Sequence, residues 1–468
     1  MTSKSSFWGS LKENSKRRLW VWAVVILSFV LVLPLILAMR ISLVYQEMHY
    51  LAESYGAEQA NEILHGNLLT MVKTILGPSG MLFLFTVFFA VANAVQGFSW
   101  LYSRKKIDFY MGMPVKRWKR FLVIWLNGIF IYAIPYLAGV AVSMVIAAGN
   151  HALDGEVTKI VVQAFFVHLL LYLCIYHMAL LAVMLTGNMV ITGMGFVVFC
   201  LYEWAVRSVD YAYKGRFFRY FSSSRYSAEP FFSPFVMYSK IASEPSAMMA
   251  QGKTLLMMAA FAVVLGVISY LCYLKRPAES AGKAMVFPVT KPIIKILLVV
   301  PMALLMGDLI AGEVNYDPLQ GSTEIWYVIL ALVLVTILGS AVIQVLYEFD
   351  IKGALHQKRH ILISGILVAV FFMTYRYDLI HYDSYIPDPD QVESIALYPS
   401  QYEMIDYRGM WIDESGSISG IDYANKYMYL KDTQDVCDLA KYSMEKYDEA
   451  FPKGKEMIYD DDAEEYWS

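Results

Sequence analysis

Charge is scarce in this chain: only 17% of its 468 residues are Asp, Glu, Lys or Arg, against about 25% in ordinary soluble domains. With 58% hydrophobic residues and a mean hydropathy of +0.47, that shortage excludes a water-soluble globule. Cysteine is scarce too. Cys174, Cys200 and Cys272 fall inside apolar runs and Cys437 in an acidic stretch. No Cys-x-x-Cys pair exists, so neither a disulfide framework nor a zinc site is expected. The first three suit small buried hydrophobes. A phosphate-binding loop is missing: Gly252-Lys253-Thr254 comes nearest, but Ala247 stands where a Walker A run needs glycine. His-Glu-x-x-His spacing is absent. Asp388 and Asp390 lack the spaced ligands and glycine of a calcium loop. No catalytic residue, metal or cofactor is expected, and no enzyme.

What the chain has instead is long apolar runs. They cover 19–39, 79–99, 121–148, 160–185, 189–206, 254–274, 293–312, 324–347 and 361–375, most of them near the ~20 residues that a helix needs to cross a bilayer. The fourth and fifth are parted only by Thr186-Gly187-Asn188, a helix-breaking turn. The first follows Lys12, Lys16, Arg17 and Arg18 and is too long for a signal peptide's apolar region, so an uncleaved span is expected. The expected fold is an all-α polytopic membrane protein of about nine transmembrane helices. Residues 1–18 form its N-terminus, 19–375 its membrane domain and 376–468 a small α+β C-terminal segment.

Charge orients the spans. Segments 1–18, 101–120, 275–295 and 348–360 hold twenty Lys and Arg, while 40–78, 149–159 and 313–323 hold three. Cations mark cytoplasmic loops, which predicts a cytoplasmic N-terminus and an extracytoplasmic C-terminus. The cation-rich stretch 207–252 falls outside on this scheme, tolerable for a long segment. Its interleaved aromatics suit an interfacial belt better than a nucleic-acid surface. Residues 376–468 carry 8 Lys+Arg against 22 Asp+Glu, a net of −14. Within them, 391–398 reads as a strand and 434–449 as a helix capped by Asp432 or Thr433. Residues 460–465 read as a solvated acidic run. Between 41 and 76, Tyr55, Ile63, Leu64, Leu68 and Val72 share a helical face, predicting an amphipathic helix on the membrane surface or the bundle.

Among polar residues inside the spans, Glu203 and Asp308 stand out. Charges at that depth line a path, carry protons, or reach the interface from a span's end. Both lie near span ends, which favours the last. His168 and His177 are too far out of phase to form one site. The loop 101–120 holds apolar Ile107, Phe109, Tyr110 and Met111 between cations, and Pro114 ends the helix-like part. It is either a basic loop lying against anionic lipid or a short helix that docks into a soluble partner.

The run from Ser103 to Phe121, Ser-Arg-Lys-Lys-Ile-Asp-Phe-Tyr-Met-Gly-Met-Pro-Val-Lys-Arg-Trp-Lys-Arg-Phe, resembles the cytoplasmic loop of type-2 ABC exporter permeases of low-GC Gram-positive bacteria. The run from Tyr273 to Phe287, with Lys-Arg-Pro-Ala-Glu-Ser-Ala-Gly-Lys at its centre, resembles that family's loop after the sixth span. The stretch from Asp383 to Tyr398 resembles the start of its extracytoplasmic domain. The order matches across most of the chain. Met111-Gly112-Met113 departs from the family's more polar run, and the C-terminal segment is short.

The resemblance implies a membrane-spanning subunit that pairs with a second permease copy or paralogue and with a separate ABC ATPase in a bacterial plasma membrane. It implies export of antimicrobial peptides, amphipathic compounds or lipids, with membrane lipid around the subunit and no nucleic acid. It places Arg104, Lys105, Asp108, Phe109, Pro114 and Arg117 at the ATPase interface. Lys275, Arg276, Glu279 and Lys283 belong to the second cytoplasmic loop. It also implies short outside helices in 207–252. Two other readings remain open at this level: an ion-coupled transporter using Glu203 or Asp308, and a membrane sensor with an outside ligand domain.

Overall fold

The computed structural model describes residues 3–112, 115–221, 231–316, 324–354, 357–392, 395–396, 410–413, 416–419, 429–430 and 433–450. Among them, nine helices are long and apolar enough to cross a membrane. The chain is a multi-pass membrane protein. Each of the nine apolar runs of the sequence falls on one of these helices.

Helix α1 (Ser3–Arg17) precedes a first span built from α2 (Leu19–Ile26), a π-helical stretch (Leu27–Val32) and α3 (Leu33–Tyr55). Next come α4 (Ala57–Leu76) and α5 (Gly80–Gly97), separated at Pro78. The Ser79 hydroxyl accepts the Leu82 N–H and starts α5. A short helix α6 (Arg104–Gly112) leads to α7 (Arg117–Gly149), α8 (Gly155–Leu185) and α9 (Met189–Phe217). Asp154 caps α8 by accepting the Val157 N–H at 2.6 Å. After α10 (Pro234–Ala242) the remaining spans are α11 (Gly252–Lys275), α12 (Thr290–Glu313), α13 (Ile325–Glu348) and α14 (Lys358–Arg376).

Two departures from the sequence reading have physical causes. The predicted end of the fifth span at 206 is too early: α9 continues to Phe217. The cations that look like loop residues are paired along the helix, Arg207 with Glu203 at 3.1 Å and Lys214 with Asp210 at 2.9 Å. Such i,i+4 pairs suit a helix surface. The amphipathic stretch 41–76 is two helices rather than one. α3 runs through its first part, and α4 packs on α3 with Leu68 and Val72 buried.

The chain divides into two compact units. The first comprises 1–207, 228–299 and 338–360; the second comprises 208–227, 300–337 and 361–468. In the first unit α8 is the central helix, packed on α5 and α11 and buried along most of its length. An aromatic cluster sits beside it. The Phe29 ring lies 4.9 Å from Tyr136 and 5.5 Å from Tyr132, and Tyr132 stacks on Tyr172 at 4.1 Å. Gly139 lets α7 approach the π-helical stretch. A Cβ there would lie 2.1 Å from the Phe29 carbonyl oxygen.

The described part of 376–468 supports less than the expected α+β unit. Strand β1 (Ile395–Ala396) pairs antiparallel with β4 (Tyr429–Leu430), and β2 (Met410–Asp413) with β3 (Gly416–Ser419). These are two separate two-stranded pairs, not one sheet. Helix α15 (Thr433–Ala450) follows. Its Asp448 pairs with Arg219, and the Tyr220 hydroxyl donates to the Met444 carbonyl at 3.1 Å. Asp432 and the acidic run 460–465 lie outside the described residues.

Candidate functional site

The first unit gathers the two basic loops of the sequence at one end of its bundle. The loop after α11 is joined to the turn between α8 and α9. Gly187 N–H donates to the Lys283 carbonyl at 3.0 Å, Gly282 N–H to Gly187 at 2.8 Å, and Val286 N–H to Leu185 at 2.8 Å. Gly187 is required by this contact, because a Cβ would sit 2.1 Å from the Ser280 carbonyl oxygen. Helix α6 packs against the Ala278–Ser280 turn of the same loop.

Arg276 fastens the assembly. It is 2% exposed. One guanidinium nitrogen donates to the carbonyls of Val183 at 2.7 Å and Met184 at 3.1 Å, and the other to Leu101 at 3.4 Å. Val183 and Met184 belong to the last turn of α8, whose carbonyls have no partner within the helix. A cation there also meets the negative end of the helix dipole. Burial pulls Arg276 down to about 10, so it stays a cation at neutral pH. Arg117 adds a second tie, donating to the Leu274 carbonyl at 3.1 Å. Arg18 is a second internal cation, tied to the last third of α5. It is buried and donates to the Asn93 carbonyl at 3.0 Å and side-chain oxygen at 2.8 Å.

Helix α6 is held from one side and open on the other. Ile107 is 1% exposed. Tyr110 stacks on Trp100 at 4.8 Å and accepts the Arg17 guanidinium at 2.9 Å. Arg104, Lys105 and Asp108 are exposed, and Phe109 is 62% exposed. Lys275, Glu279 and Lys283 are exposed on the second loop. The predicted residues therefore separate into two kinds. Arg276 is internal and Arg117 is exposed yet tied to the α11 carbonyls. The others face outward, and Pro114 lies outside the described residues.

The two acidic residues singled out inside the spans are both engaged. Glu203 accepts Arg207 at 3.1 Å and the Phe232 N–H at 2.8 Å. In the second unit, Asp308 accepts two nitrogens of Arg216 at 2.8 and 2.9 Å, and Arg216 also donates to the Tyr316 carbonyl at 3.0 Å. The histidines form separate sites. His168 joins the Tyr136 and Tyr238 hydroxyls at 3.0 and 2.9 Å, which seats α10 on α8. His177 accepts the Trp125 indole N–H at 2.8 Å and donates to the Ala262 carbonyl at 2.8 Å. An indole nitrogen only donates and a carbonyl only accepts, so those partners suit neutral imidazole.

One polar group escapes the sequence reading. Lys295 counts there as a loop cation but is fully buried at the start of α12, donating to Gln344 of α13 at 3.1 Å. Gln344 in turn donates to Glu348. The i,i+4 spacing of Gln344 and Glu348 in an otherwise apolar helix is the signal that could have found it.

Comparison with protein-family models, with curated proteins and with solved structures finds no match in any of the three.

Proposed function

We propose that this chain is the membrane-spanning subunit of an ABC exporter, driven by ATP hydrolysed on a separate partner subunit. The observation that carries the reading is the mounting of α6. Its outer face offers Arg104, Lys105, Asp108 and an exposed Phe109. Its inner face is fixed through Ile107 and Tyr110. An aromatic anchor ringed by charge is the composition of a docking hot spot. A helix gripped this way transmits displacement, because packed interfaces shift as units rather than deform smoothly. The Arg276 and Arg117 ties extend the grip to the ends of α8 and α11.

In this reading the N-terminus, α6 and the 275–295 loop face the cytoplasm of a bacterial plasma membrane. The 376–468 segment lies outside. Two permease copies, identical or paralogous, form the transport unit. The cargo is an amphipathic compound, peptide or lipid. Ion coupling through Glu203 or Asp308 is the weaker reading, since each carboxylate already holds an arginine.

Co-purification from the native membrane tests the proposal. The tagged chain brings down a soluble ATPase, and the Asp108→Ala/Phe109→Ala double variant loses it while remaining folded. Failure of the wild-type chain to retain any ATPase in mild detergent would sink the exporter reading.

A further inference from the structure

The second unit contains a groove that the exporter reading does not use. It runs between α13 and α14 and has a volume of about 600 Å³, within the ~300–1,000 Å³ of small-molecule sites. Leu332, Val368 and Phe372 form its buried floor, and Val333, Leu362 and Ile366 its exposed walls. Arg376 and Tyr377 close one end. Among the described residues, Arg376 is the only charged one lining it.

Length narrows the occupant. The lining runs from Ile325 to Ile337 on α13 and from Ile361 on α14 to Tyr377, just past its end. At 1.5 Å per residue these are roughly 18 and 24 Å. One leaflet of hydrocarbon is roughly 15 Å deep, half the bilayer core. The groove therefore accommodates a chain entering from the leaflet on the Arg376 side. The walls alone select nothing, because lipid tails are as apolar as the residues they would touch. Selection rests on Arg376. Among the described residues it makes one hydrogen bond, to the Tyr316 hydroxyl, and no ion pair. It sits at the end of α14 with donors to spare, next to the Tyr377 ring at 5.7 Å. A guanidinium and a phenol at the end of an apolar slot match a phosphate joined to an acyl chain.

We infer that the α13–α14 groove is a binding site for one acyl chain of an anionic phospholipid, with its phosphate on Arg376. The site does not depend on the exporter assignment. Gly365 lines the groove, and a Cβ added there meets nothing within 4 Å. A side chain at 365 would therefore enter the groove without disturbing the helices.

The test is native mass spectrometry of the detergent-purified chain with chain-matched phosphatidylglycerol and phosphatidylcholine. The wild-type chain retains phosphatidylglycerol about fivefold better, the ratio for one cation at an anionic surface. Arg376→Gln abolishes that preference and Arg376→Lys keeps it. Gly365→Phe lowers retention of both lipids about tenfold, with an unchanged melting temperature. Equal retention by wild type and Gly365→Phe overturns the site, as does a phosphatidylglycerol preference that survives Arg376→Gln. A shift from dimer to monomer in Gly365→Phe, with lipid retention unchanged, overturns it in favour of a second copy of the chain.

Discussion

At the residue scale, the basic positions of this chain do two different jobs that sequence alone does not separate. Arg276 sits in Lys-Arg-Pro, a run that looks solvent-facing, yet it is buried on three carbonyls contributed by residues 92 to 175 positions away. Arg216 and Asp308 likewise meet across 92 residues. Such partners are invisible to spacing rules, which see only neighbours along one helix. The exposure of Phe109 is legible, because an aromatic among cations breaks the expected polarity of a loop, whereas Asp108 is named only by the resemblance. The distinction predicts opposite mutant behaviour. Arg276→Ala leaves buried last-turn carbonyls of α8 without a donor and should cost roughly 2–4 kcal/mol. Arg276→Lys should recover less than half of that, because an ammonium lacks the planar fork that reaches two directions. Thermal unfolding in detergent, followed by tryptophan fluorescence, reads both. Phe109→Ala in the same assay should stay within about 0.5 kcal/mol of wild type. A stable Arg276→Ala protein would show that the staple is dispensable.

At the scale of elements, hydropathy locates the spans because bilayer thickness fixes helix length, and among the described residues no other apolar helix meets that length. It could not locate the end of α9, where paired charges continue a helix past the apolar run, nor the split between α3 and α4. Nor could it show that α6 and the second loop touch. That contact depends on the Thr186-Gly187-Asn188 turn, which the sequence offers only as a break between two helices. Gly187→Val tests its role. The added carbons would meet the Ser280 and Lys283 carbonyl oxygens, at 2.1 and 2.6 Å from the first of them. The loop must then move away from the turn. Hydrogen exchange at the amides of Gly187, Gly282 and Val286 should speed up by about tenfold or more, since each bonds across the junction. Exchange in the middle of α8 should not change. If the junction amides keep their protection, the turn and the loop are not held together in the way their hydrogen bonds indicate.

For the whole molecule, the decisive quantity is which end of the bundle faces the cytoplasm, and charge supplies the argument. Twenty cations against three in short loops is a bias that the paired residues of α9 do not erode. Arg207 and Lys214 are each matched by a carboxylate on the same helix. Chemical labelling decides it. Lys105 and Leu439 are both exposed, the latter at 52%, and the proposed orientation puts them on opposite sides. The native cysteines interfere little: Cys437 is 3% exposed, Cys174 is buried, and Cys200 and Cys272 lie within spans. In intact cells, a membrane-impermeant maleimide should label Leu439→Cys, leaving Lys105→Cys untouched until the membrane is opened. That result puts α6 where a cytoplasmic ATPase can reach it. Labelling of Lys105→Cys in intact cells would reverse the chain in its membrane. The docking face would then point away from any source of ATP, and α6 would have to be explained as a surface for an extracytoplasmic partner.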